Sequence, residues 1–353
     1  MSRSHRLDRR SFLGTSGGAM FCALGGAHLL GSRKDIRRAD AHAAKMKMPP
    51  RVAHPDPVDR YTFVTPQPQP GGQVREYWIQ AKTVKWDIAP TGRDDWMGMK
   101  IPAPRTFRAF VYQRYTPGYG DPIGPPSIPG PTLEANVGDV IVAHVRNADE
   151  KLGQAITMHP HGVRYNPDYD GAYYGDYTRV GGFIAPGEEF KYTWECVPES
   201  VGVWPYHDHG PNHMINSARG LFGAIIIREP GAKIPDVETV LFLHSFPPNI
   251  TGLDQNFMCV NGRTAAGNTP TVCAKVGQDV AFHAFGGDQA FHTFHVHGHR
   301  WKDPSGAFVD NPNLGPLNSV TARWTEDNPG RWLYHCHVGP HQMGMSGWYF
   351  VDE

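Results

Sequence analysis

Trp204-Pro205-Tyr206-His207-Asp208-His209 and Trp332-Leu333-Tyr334-His335-Cys336-His337 are one phrase written twice, with a cysteine replacing an aspartate in the second copy. The echo extends further. Pro131-Thr132-Leu133-Glu134-Ala135-Asn136-Val137-Gly138 returns as Pro270-Thr271-Val272-Cys273-Ala274-Lys275-Val276-Gly277, and His159-Pro160-His161-Gly162 returns as His295-Val296-His297-Gly298. His213 and His341 follow the third pair at matching positions. Three echoes in one order mark a duplicated unit, and the unit is too long for a solenoid repeat. Each copy is therefore expected to be a complete β-domain.

The rest of the chain agrees. Alternating apolar and β-branched runs at 74–88, 107–115, 137–145, 190–194 and 220–227 predict strands, with turns such as Pro129-Gly130 and Pro186-Gly187 between them. A linker is expected at 230–236, after which strand-like runs resume at 240–244 and continue to 348–351. The 40 glycines and 32 prolines lack a collagen-like period and suit many short strands and turns. No helix-period apolar run of useful length is expected after residue 31. The 34 basic residues balance the 34 acidic ones, so no cationic excess is available to neutralise nucleic-acid phosphates.

The first residues read as an address. Asp8-Arg9-Arg10-Ser11-Phe12-Leu13-Gly14 is a twin-arginine pattern before a weakly apolar run, and Ala41-His42-Ala43 offers a cleavage site. The run is too short and polar for a membrane span. The reading is a signal over 1–43, a Pro-rich leader over 44–72, and domains over 73–230 and 231–353. Export to the periplasm or medium follows. Cys259 and Cys273 flank a polar loop and could pair there, although sequence alone does not decide it. Cys196 reads as a buried free thiol.

The chemistry lies in the histidines. Alternate residues of a strand share a face, so each H-x-H aims two imidazoles one way. Four such pairs occur, His159/His161, His207/His209, His295/His297 and His335/His337, two in each half. Eight imidazoles are too many for one mononuclear site and fit a cluster of three metals. Cys336 faces away from its two histidine neighbours, toward a second site. With His341, His292 and a methionine it makes the blue-copper set of thiolate, two imidazoles and weak thioether. Met345 is the first choice for the axial place and Met343 the second.

The motifs H-P-H-G, H-D-H, H-x-x-H-x-H-G and H-C-H-x-x-x-H, in this order, resemble the copper signatures of multicopper oxidases, over about residues 75 to 353. With two domains and a twin-arginine leader, the chain is most similar to the bacterial two-domain small laccases. The resemblance implies an all-β fold of two cupredoxin-like Greek-key sandwiches. It implies four coppers per chain, with Cys336, His341 and His292 on type 1 and His159 and His295 on type 2. His161, His207, His209, His297, His335 and His337 fall to the type 3 pair. Asp170 matches an acid that delivers protons, and Tyr165 a tyrosine that lends an electron. The first domain has Asp208 in the cysteine's place and should hold no type 1 copper.

The activity implied is one-electron oxidation of phenols or aromatic amines, coupled to reduction of dioxygen to water. The partners implied are small aromatic reductants, dioxygen and two further copies of the chain in a homotrimer. The alternatives are a cuprous or manganous ion oxidase, toward which Met97 and Met99 hint, and a copper nitrite reductase, against which eight paired histidines speak. A bare electron carrier would waste those histidines.

Overall fold

A computed structural model describes residues 31–49 and 63–353. The twin-arginine stretch lies outside the described residues. The first half has strands β1 (Val74–Asp87), β2 (Thr106–Tyr115), β3 (Leu133–Asn136), β4 (Val140–Asn147), β5 (His159–Pro160), β6 (Glu189–Glu195), β7 (Gly202–His207) and β8 (Phe222–Arg228). They form two sheets, β2-β1-β4-β6 and β3-β8-β7-β5.

The second half has β9 (Val237–Phe246), β10 (Phe257–Val260), β11 (Val272–Lys275), β12 (Asp279–Gly286), β13 (His292–Thr293), β14 (His295–Val296), β15 (Trp301–Lys302), β16 (Phe308–Val309), β17 (Asn313–Leu314), β18 (Ser319–Thr325), β19 (Gly330–His335) and β20 (Ser346–Asp352). Its main sheets are β10-β9-β12-β18 and β11-β20-β19-β14, the same order strand for strand. Each half is a cupredoxin-like sandwich, as the duplicated phrases predict.

Alternation builds these sheets. On β1, Tyr77, Ile79 and Ala81 point inward and are buried, while the residues between them are not. Each sandwich has its own aromatic-rich core, around Phe110, Tyr112 and Trp194 in the first and Phe282, Tyr334 and Tyr349 in the second. A third cluster, including Trp86, Phe107, Phe222, Phe242, Phe246 and Phe285, draws on both halves and joins them. Each such side chain contributes about 1.5–3 kcal/mol when buried, so the cluster adds to the stability of both halves.

Two expectations are corrected. The strand expected over 137–145 begins only at Val140, as β4, and a separate strand β3 precedes it, because Gly138 turns the chain at φ +92° and the Asp139 carboxylate accepts the N–H groups of Asn136 and Gln73. And residues 33–43 form a helix, α1 (Arg33–Ala43), where none was expected. Ser32 and Asp35 cap it reciprocally in a capping box. The proposed cleavage triplet Ala41-His42-Ala43 is its last turn. Two shorter helices, α2 (His213–Ala218) and α3 (Pro248–Thr251), lie near it. Among the described residues no helix is long and apolar enough to cross a membrane.

The repeated phrases are explained by packing. Tyr206 donates its hydroxyl to the Pro131 carbonyl at 2.7 Å, and Tyr334 does the same to Pro270 at 2.6 Å. Trp204 Nε1 donates to the Ser200 carbonyl at 2.7 Å, and Trp332 Nε1 to Asn328 at 2.9 Å. The glycine closing H-P-H-G has φ +73°, and a Cβ on it would sit 2.1 Å from the Trp204 ring. The motif residues thus lock one another, and the histidines ride on that lock.

Candidate metal centres

The cysteine site forms where β13, the end of β19 and the loop to β20 meet. Cys336 is fully buried. Its Sγ lies 3.9 Å from His292 Nδ1 and 3.7 Å from His341 Nδ1, and accepts the Thr293 N–H at 3.4 Å. His292 Nε2 bonds the Asp288 carboxylate at 2.8 Å, which turns its Nδ1 toward the sulfur. Burial pushes the Cys336 thiol up, but hydrogen bonds from His292, His341 and the backbone outweigh it and bring it down to about 6. A thiolate is the form a metal needs. Bonds of about 2.0 Å to nitrogen and 2.3 Å to sulfur would place one ion among the three donors. Met345 is buried in the same core as Cys336, and its carbonyl accepts the Cys336 N–H at 3.1 Å. Met343 is 58% exposed, so position favours Met345 for the axial place.

The eight paired histidines fall into two groups. In the first half, β5 and β7 pair so that His159 sits opposite His207. His159 Nδ1 donates to the Asp170 carbonyl at 2.7 Å and His207 Nδ1 to the Asp208 carbonyl at 2.8 Å, which leaves both Nε2 lone pairs free. His161 Nε2 is 3.2 Å from His207 Nε2. His209 packs 5.2 Å from the His159 ring, and its Nδ1 is buried with no partner. Burial depresses His161 to about 4 and His207 to about 3, keeping both neutral.

The second half repeats this. His295 sits opposite His335 in the β14–β19 pair. His295 Nδ1 donates to the Asp310 carbonyl at 2.7 Å and His335 Nδ1 to the Cys336 carbonyl at 3.0 Å. His297 Nε2 lies 2.9 Å from His335 Nε2, and the His337 ring is 4.8 Å from the His335 ring. In each close pair one ring, His207 or His335, has its Nδ1 already bonded, so its Nε2 lone pair faces the Nε2 of its neighbour, His161 or His297. That donor set fits a cation.

Ligand atoms of His159, His161 and His207 lie within 4.8 Å of one another, as do those of His295, His335 and His337. Among the described residues no ligand atom of one group joins the other within that distance. The first opens into a cavity of about 430 Å³ that reaches from His159 and His213 to Asp288 and Leu317. The second is open to solvent at His337.

Asp170 stands at the first group, Oδ1 at 3.2 Å from His159 Nδ1 and Oδ2 accepting the Tyr174 hydroxyl at 2.8 Å. Burial pushes its carboxyl up, but His159 and Tyr174 hold it below the usual range. The Tyr165 ring lies 5.8 Å from His159, edge to face. Asp208 is fully buried and accepts the Thr157 and Gly210 N–H groups and Asn216 Nδ2. His213 stacks on His209 at 4.5 Å.

Four residues escape the sequence reading. Asp288 orients His292, and Asp310 repeats the part of Asp170. Thr157 and Thr293 each accept a histidine N–H at 2.9 Å, from His209 and His337. The threonines had a signal, since both halves read Thr-x-His-x-His. Cys259 and Cys273 are both free, the first buried in β10 and the second exposed in β11.

Two family models, both described as multicopper oxidase, match residues 126–232 and 244–353. The chain is 31% identical over 247 residues to a probable nitrite reductase–hydroxylamine oxidoreductase fusion protein of Kuenenia stuttgartiensis, over 65% of this chain and 28% of that protein. It is 28% identical to mouse hephaestin, over 80% of this chain and 30% of hephaestin. It thus spans less than a third of the length of either relative. A crystal structure of a multicopper oxidase superposes with TM-score 0.62 at 25% identity, covering 81% of this chain and 92% of that one. A copper nitrite reductase from Nitrosomonas europaea shares the fold alone, with TM-score 0.59 and 19% identity over 80% of this chain and 94% of that one.

Proposed function

Because this chain belongs to the multicopper oxidase family, we propose that it is a laccase-like oxidase, taking single electrons from small reductants at the Cys336 site and reducing dioxygen at the paired histidines. The observation that carries this is the adjacency of His335, Cys336 and His337. One residue serves the thiolate site and its two neighbours serve the other. Four coppers, bound by the twelve ligands including Met345, would supply one-electron transfer at the first site and dioxygen binding at the second.

The chain's own residues do the rest. The Asp170, Asp208, Asp310 and Cys336 carbonyls fix four imidazole tautomers, and the Asp288 carboxylate fixes a fifth. Reduction of one dioxygen to two waters consumes four protons. Asp170, a carboxylate beside His159 with the Tyr174 hydroxyl bonded at Oδ2, would relay protons by accepting one transiently at Oδ1. Tyr165 is placed to give an electron next to His159.

The separation of the histidine groups calls for a second copy. The second-half group of one chain would complete the first-half group of the next; a head-to-tail contact that closes makes a ring, and the resemblance to the two-domain laccases implies three copies in it. We infer domains at 73–230 and 231–353, with type 1 copper only in the latter, and export by the twin-arginine route.

A metal-ion reductant is the second reading, favoured by the similarity to hephaestin. The test is a copper count and optical spectrum, followed by oxygen uptake with a phenol, ferrous ion and cuprous ion in turn. About four coppers, a strong band near 600 nm and uptake with the phenol support the laccase-like reading. Uptake with a metal ion alone supports the second. One or two coppers and no uptake sink both.

A further inference from the structure

Helix α1 precedes both sandwiches and belongs to neither, yet it packs behind α2 and α3, whose His213, Met214, Ser217, Ala218 and Asn249 line the first-half histidine cavity. Its Ile36, 3% exposed, packs with Ile215 of α2 and Ile250 of α3. Arg33 donates to the carbonyls of Pro248 and Leu253, at 3.2 and 2.9 Å, and to that of Gly252, all at α3. Asn249 Nδ2 returns a bond to the Gly31 carbonyl at 2.6 Å.

Asp40 ties the helix to three residues of the first half. Its Oδ1 accepts Gln154 Nε2 at 2.6 Å, Asn212 Nδ2 at 3.2 Å and Arg219 Nη1 at 2.8 Å, and its Oδ2 accepts Arg219 Nη2 at 2.6 Å. The pair is sheltered, with side chains 20% and 7% exposed. Each partner leads to a histidine. Gln154 begins the run to His159. Asn212 precedes α2 and Arg219 follows it, and α2 carries His213, which stacks on His209, and Asn216, which holds Asp208. A six-residue helix is too short to hold itself, and Asn212 makes no side-chain cap bond to it. The carboxylate of Asp40 supplies the missing fixed point at both ends.

We propose that Asp40 is a positioning residue for the first-half histidine group, and that α1 stays on the folded protein as a working part of that site. This rests on the reading that the group holds copper. It replaces the expected cut after Ala43, which would remove Asp40 with the helix.

The test uses the full chain with Asp40→Asn, and separately Ile36→Asp, against the unchanged protein. Copper is counted, the band near 600 nm serves as internal control because its thiolate lies in the other half, and hydrogen exchange over 207–219 is followed in copper-free protein. The expected result is an intact blue band, copper affinity of the remaining sites lower by roughly tenfold, and exchange over 212–219 faster by at least about as much. The intact mass of protein purified from its native cells should still include Asp40. Equal copper and equal exchange in Asp40→Asn overturn the positioning role, and a native protein that begins at Ala44 with full copper overturns the retention of α1. If the unchanged protein takes up copper only at the thiolate, the oxidase reading fails, while the exchange comparison still decides whether Asp40 holds α2.

Discussion

Asp208 and Cys336 occupy the same slot in the two halves, and the slot is wired alike. A threonine N–H points at each, Thr157 to Asp208 Oδ1 at 2.7 Å and Thr293 to Cys336 Sγ at 3.4 Å. In both, the same threonine's hydroxyl accepts the N–H of the histidine that follows. The surroundings differ. Ile156 precedes Thr157 where His292 precedes Thr293, and Ser217 stands four residues after His213 where Met345 stands four after His341. The first slot closes on itself, its carboxylate satisfied by three donors. The second keeps lone pairs for an ion. A ligand slot is thus the whole donor set, and the supporting hydrogen bonds survive when that set is exchanged.

The comparison can be broken most directly at the slot itself. Cys336→Ser should abolish the band near 600 nm and bring oxidation of reductants to background. Asp208→Cys should create no second blue site, since Ile156 supplies no nitrogen, and should destabilise the protein by about 1–3 kcal/mol by leaving Thr157 N–H and Asn216 poorly paired. A second blue band would refute the argument from the donor set.

Asp170→Asn comes next. It should slow reoxidation of the reduced enzyme by dioxygen by roughly a hundredfold, with anaerobic bleaching of the blue band unchanged. Equal loss in both half-reactions would remove Asp170 from proton delivery. Asp288→Asn should weaken copper at the thiolate site by about tenfold and spare the histidine sites, as metal competition with a chelator would report.

The smallest effect is on acid stability. Burial holds His161 near 4, His207 near 3 and His335 near 4 in the fold. Unfolded histidines take protons below about 6.5, so between that pH and about 4 the unfolded chain binds more protons. Stability of the copper-free protein should fall as pH drops through this window and be flat above it, by a melting point shift of a few degrees or more. A melting point constant from pH 7 to 4.5 would mean that these imidazoles are not held neutral.

The duplicated sandwiches and the histidine pairs were legible because a two-residue period sets which side chains share a face, and three repeated phrases in one order mark the duplication. The thiolate ligands were legible because Cys336 sits between paired histidines. The orienting residues were not. Asp288 works only because its loop folds back on His292. Asp310 follows His295 by 15 residues where Asp170 follows His159 by 11, so no alignment by eye pairs them. Helix α1 was missed because its residues are mostly charged and its order comes from distant partners, Ile215, Ile250 and Arg219. The possible Cys259–Cys273 bridge was not excluded by sequence, since the burial of Cys259 between the halves is a tertiary fact.

The brevity of β5 and β14 has one more consequence. Each is an edge strand two residues long. A longer strand there would present a row of unpaired N–H and C=O groups, the surface on which β-proteins join into fibres. Here the edge is cut short and each short strand opens on an imidazole, His159 in β5 and His295 in β14. In the proposed head-to-tail assembly, copies would meet at those edges through side chains, without a continuous sheet running from one molecule into the next.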